Sequence, residues 1–65
     1  MRVTVNDEEM QVDRGTTVAE LLEALGFPDE GIAVALNQAV LPRSQWDSPV
    51  PAEARVEVVT AVQGG

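Results

Sequence analysis

The chain has 65 residues, eleven acidic side chains against four arginines, and a net charge of −7. That length supports one domain near the lower limit of independent folding. It contains no cysteine and no histidine, so neither a disulfide framework nor a zinc cluster supports it. The acidic balance argues against nucleic acid and anionic membranes, which need a basic stripe, and favours a basic protein surface as partner.

The core must be aliphatic, because 45% of residues are hydrophobic and only 3% aromatic. A core of this size is worth about 3–5 kcal/mol. Met1-Arg2 leads into alternating residues and not into an apolar leader. No apolar run approaches the ~20 residues of a membrane span. The expectation is a cytoplasmic protein. All four cations are arginine. With no lysine, the chain offers no ε-amine for Schiff-base chemistry or isopeptide acceptance.

Arg2-Val3-Thr4-Val5-Asn6 alternates with period two, which predicts a strand with Val3 and Val5 inward. Asn6-Asp7-Glu8-Glu9 reads as a turn, and Met10-Gln11-Val12 as the return strand of a hairpin. Thr17-Val18-Ala19-Glu20 has the form of a capping box. Val18, Leu21, Leu22 and Leu25 follow at helical spacing, and Gly26 and Pro28 end the pattern. This predicts a helix over roughly 17–25.

Ile32–Asn37 is a third strand, with large residues (Ile32, Val34, Leu36) on one face and Ala33 and Ala35 on the other. Ala39-Val40-Leu41 suits a short fourth strand before Pro42. Arg43-Ser44-Gln45-Trp46 reads as a single turn, with Trp46 closing one end of the core. The segment Asp47–Pro51 is too rich in proline for a central strand. Glu53-Ala54 makes the last turn, and Arg55–Thr60 is the final strand with Val56 and Val58 inward. The order is β-β-α-β-(β)-β. It predicts an α+β fold: a mixed sheet of 4–5 strands with one helix on one face, its first and last strands parallel neighbours. Residues 1–61 would form the domain and 62–65 a flexible diglycine tail.

No histidine or cysteine is present to serve as base or nucleophile, and Glu8-Glu9 and Asp29-Glu30 read as solvated loop charges. No catalytic or metal-ligating set emerges, and the chain is not expected to be an enzyme. The distinctive feature is the end, Val62-Gln63-Gly64-Gly65. Glycines lack a Cβ and can thread a narrow channel. Four extended residues reach roughly 13 Å, at about 3.3 Å each. The Gly65 carboxylate is then the working group, with Gly64 required for channel entry. Strand alternation places Val59, Ala61, Ala33 and Ala35 on the face away from the helix. Small apolar residues there form a candidate partner face.

Val5-Asn6-Asp7-Glu8, Thr17–Leu22, Val34–Asn37, Val40–Trp46 and the terminal Gly-Gly together resemble the ThiS family of sulfur carriers. The resemblance spans the whole chain and implies a ubiquitin-like β-grasp fold. It further implies that a ThiF-like E1 adenylating enzyme, using ATP, activates Gly65. Sulfur from a persulfide donor protein would then give a thiocarboxylate for a ThiG-like thiazole synthase in thiamine biosynthesis. The chain itself would bind no cofactor. The diglycine end is shared with the small subunit of molybdopterin synthase and with ubiquitin-like modifiers or interaction modules, which are the alternative readings. One departure from the family pattern is Glu53-Ala54, where Gly-Asp is common before the last strand.

Overall fold

The computed structural model describes residues 1–60. The elements are β1 (Arg2–Val5), β2 (Glu8–Gln11), α1 (Val18–Ala24), β3 (Ile32–Leu36), β4 (Ala39–Val40), a single 3-10 turn (Arg43–Gln45) and β5 (Arg55–Thr60). The sheet runs β2-β1-β5-β3-β4. Strand β5 lies in the centre, parallel to β1 and antiparallel to β3. This is the ubiquitin-like β-grasp architecture that the family resemblance implies, and its parallel β1–β5 pair is the one the element order predicts.

The strand alternation sorts the side chains. Val3, Val5, Val34, Val56 and Val58 are buried beneath the helix residues Val18, Leu21 and Leu22. Trp46, Val50 and Ala54 complete the same cluster. Each fully buried Val or Leu contributes about 1.5–3 kcal/mol of transfer free energy, most of it cancelled by chain entropy.

Helix α1 is short, so its ends matter more than its propensity. The Thr17 hydroxyl accepts from the Glu20 N–H at 3.1 Å, and the Glu20 carboxylate accepts from the Thr17 N–H at 2.9 Å. The free N–H groups of Val18 and Ala19 donate to the carbonyls of Ser48 and Trp46, at 3.2 and 2.9 Å. The predicted capping box is therefore extended by a remote segment. Asp47–Pro51 stays outside the sheet and runs beside the start of α1, through an isolated bridge between Thr17 and Pro49 and a bond from the Val50 N–H to the Thr16 carbonyl. At the other end, Gly26 (φ +84°) donates to Glu23 and Phe27 donates to Leu22. This reciprocal pair needs a left-handed residue, which glycine supplies without strain. Leu25, expected on the buried stripe, is the C-cap and 39% exposed, because the stripe ends where the chain turns.

Two hairpin turns depart from the expected boundaries. Asn6 and Asp7 (φ +48° and +70°) alone connect β1 to β2, so Glu8 and Glu9 are strand residues and not turn residues. Asn37 and Gln38 (φ +50° and +73°) connect β3 to β4 in the same way. Two successive left-handed residues match the right-handed twist of the strands, and this pulls the following residues into pairing. The acidic pair Glu8-Glu9 then lies on an edge strand, where charge discourages pairing with another chain.

The turn before β5 forms despite lacking glycine. Glu53 adopts φ +59°, and its N–H donates to the Arg2 carbonyl at 2.8 Å. A non-glycine residue pays about 1–2 kcal/mol in that region, partly offset by the roughly 0.5–1 kcal/mol that glycine loses from its freer unfolded chain. Its ion pair with Arg2, at 4.0 Å, is exposed. Glu53→Gly should therefore raise the thermal midpoint by a few degrees, about 0.5–1 kcal/mol. A fall in the midpoint would show that the Arg2 pair outweighs backbone strain.

Candidate functional site

Strand β5 is held from both sides by asparagine side chains as well as by its neighbours. The Asn6 Oδ1 accepts from the Val58 N–H at 2.8 Å, and its Nδ2 donates to the Val58 carbonyl at 3.3 Å. The Asn6 N–H also donates to Val56. Across the strand, the Asn37 Oδ1 accepts from the Arg55 N–H at 2.8 Å, and the Asn37 N–H donates to the Arg55 carbonyl. Each asparagine thus serves twice, as a left-handed turn residue and as a backbone clamp. Together they fix both halves of the strand that leads towards the diglycine end. Gly64, Gly65 and Ala61 lie outside the described residues, as do the expected domain boundary at 61 and the tail at 62–65.

The face of the sheet away from α1 carries the other expected residues. Ala33 sits opposite Val59, and Ala35 opposite Glu57 on one side and Val40 on the other. Val59, Ala33 and Ala35 therefore share one face, as alternation predicted. Val40 and Glu57 belong to the same surface, and sequence reading did not include them. Alternation along β5 already puts Glu57 on the face of Val59, and for Val40 the signal was the register of the β3–β4 hairpin, which follows from a two-residue turn at Asn37-Gln38. Among the described residues, Val40 and Val59 are the most exposed large apolar side chains, at 80% and 64%. With the two alanines and Glu57 they line a shallow cavity of about 250 Å³.

A second, larger cleft of about 370 Å³ lies at the end of the sheet between the Asp29–Gly31 loop, β3 and the 3-10 turn. The Arg43 guanidinium stacks 4.8 Å from the Trp46 ring centroid and donates to the Asp29 carbonyl. The Trp46 indole donates to the Leu41 carbonyl at 3.2 Å. Trp46 is buried and closes the core end, as expected. Arg43 is committed to holding the loop against it. Among the described residues no cluster of carboxylates could hold a metal ion, and no helix is long and apolar enough to cross a membrane.

The family model of the ThiS family matches residues 2–65. The chain belongs to the ThiS family. The sulfur carrier protein ThiS of Escherichia coli is 48% identical over 46 residues, covering 71% of this chain and 70% of that protein. A thiazole synthase of Magnetococcus marinus is 38% identical over 66 residues, covering all of this chain but only 20% of that protein. The crystal structure of the thiamine biosynthesis protein ThiS from Geobacter metallireducens superposes with a TM-score of 0.80 at 36% identity, covering both chains completely. A solution structure of a thiamine biosynthesis protein from the same organism gives 0.76 at 36% identity, over 100% of this chain and 88% of that one.

Proposed function

We propose that this chain is a sulfur carrier that holds sulfur on the carboxyl carbon of Gly65 and delivers it for thiazole formation in thiamine biosynthesis. One observation carries the reading: the ThiS family match runs through residue 65 and includes both terminal glycines. The E. coli relative is named a sulfur carrier protein, and the similarity to part of a thiazole synthase supports work beside such an enzyme.

The chemistry follows from the carboxylate. It is unreactive towards nucleophiles until one oxygen can leave. In a ThiF-like adenylating enzyme, a Gly65 oxygen bonds to the α-phosphorus of ATP and pyrophosphate departs. A persulfide sulfur then adds to the carbonyl carbon, and AMP leaves with that oxygen. A reducing thiol cleaves the acyl disulfide so formed, which leaves the thiocarboxylate. A ThiG-like thiazole synthase consumes the sulfur and regenerates the carboxylate. The chain acts as co-substrate and not as catalyst. Its fold is the handle that presents the tail, because a central strand clamped on both edges gives the tail a fixed point of departure. The sequence has no cysteine, so no side-chain thiol competes with the Gly65 carbonyl for the sulfur.

The test is intact mass after incubation with a ThiF-like enzyme, ATP and a persulfide source. The expected gain corresponds to one oxygen exchanged for one sulfur, and it is absent in a chain lacking Gly65. No gain with a demonstrably active enzyme would favour a modifier or interaction module instead.

A further inference from the structure

The open face has a shape and a charge that together specify what lies on it. Val40, Ala35 and Glu57 form one row across β4, β3 and β5, and Ala33 and Val59 form the next. Val40 and Glu57 stand two strand spacings apart, about 10 Å, with only a methyl group between them. The result is a trough along β3. Its floor is Ala33 and Ala35, one wall is Val40, and the other is Val59 followed by Glu57. One end is apolar on floor and wall. The other ends beside a carboxylate.

Glu57 is exposed and takes part in neither ion pair found among the described residues, both of which are made by Arg2. Arg55 shares this face two residues away but makes no ion pair with Glu57, so the carboxylate is an unpaired rim, costly for a surface that meets an apolar partner because docking strips its water. A cation supplied by the partner makes it favourable. An apolar trough ending in a carboxylate is the complement of an aliphatic stem ending in a cation, which is the form of an arginine or lysine side chain.

We propose that the trough receives one arginine or lysine of the adenylating enzyme, its stem over Ala33 and against Val59 and its head on Glu57. The assignment rests on the sulfur-carrier reading and deepens it by naming Glu57 as the residue that selects the partner. The net charge of −7 adds long-range steering towards a basic dock, but the Glu57 contact is local and directional.

The experiment measures the affinity of the full chain for the ThiF-like enzyme at low and high salt, beside the sulfur-dependent mass gain. Glu57→Gln should weaken binding about tenfold and flatten its salt dependence, and Glu57→Lys should weaken it further. Ala33→Leu fills the floor without changing charge and should cost a similar factor. Both sites face solvent, so an unchanged thermal midpoint separates docking from folding. Wild type that gains sulfur while Glu57→Gln and Ala33→Leu bind as wild type overturns the trough and leaves the carrier reading standing. Wild type that gains no sulfur overturns both.

Discussion

Trp46→Ala should leave the chain largely unfolded at room temperature. Trp46 is 7% exposed and closes the end of the core between α1 and the strands. Truncating a buried aromatic to alanine costs about 3–5 kcal/mol, since the lost transfer energy adds to that of an unfilled cavity. A domain of this size has only about 3–5 kcal/mol to lose. The damage also spreads through the backbone. The Trp46 carbonyl accepts from Ala19 in the first turn of α1, and the indole anchors Leu41 where the chain leaves β4. Trp46→Phe keeps a ring in the site and loses the indole N–H, so it should fold with a penalty of about 1–2 kcal/mol. Urea unfolding followed by circular dichroism distinguishes the two. A cooperative transition in Trp46→Ala with a loss below about 1 kcal/mol would mean that the ring contributes little to the core.

Asn6→Ala should cost about 2–3 kcal/mol, far more than an ordinary turn substitution. The change removes both side-chain bonds to Val58 and puts a Cβ-bearing residue with no local polar group at φ +48°. The Val58 N–H is left without its 2.8 Å acceptor in a partly buried place. Two controls separate the causes. Asn6→Gly keeps the left-handed turn and loses both bonds. Asn6→Asp keeps the turn and the acceptor, and loses only the longer bond to the Val58 carbonyl. The expected order of stability is wild type, then Asn6→Asp, Asn6→Gly and Asn6→Ala. Amide exchange at Val58 should accelerate in the alanine and glycine variants more than in the aspartate one. Equal losses in all three would mean that the turn, and not the clamp, is what Asn6 supplies.

The elements themselves were legible because each has a strong local cause. Alternation of valines with polar residues marks β1 and β5, and Thr17 with Glu20 marks the start of α1. Gly26 marks its end. The parallel pairing of first and last strands followed from topology, since two strands before a helix and three after it, one of them short, leave few alternatives. What stayed hidden depends on register. Glu8 and Glu9 look like turn residues until the turn is known to need only Asn6 and Asp7. Glu57 looks like a routine exposed position until Ala35 and Val40 are placed beside it. The clamps by Asn6 and Asn37 have no periodicity to betray them, because each reaches a strand distant in sequence. The left-handed Glu53 was visible only as a departure from the family's usual glycine.

The central place of β5 also sets when the protein can come into being on the ribosome. Before residues 55–60 emerge, the nascent chain has the residues of two separate hairpins, β1-β2 and β3-β4, and of the helix between them, but not the strand that joins the two. Neither hairpin alone is stable in water. The sheet closes only when the last strand slides between them, so folding waits until residues 55–60 have emerged. A chain cut short before β5 lacks the strand that joins the two hairpins and should not form the sheet.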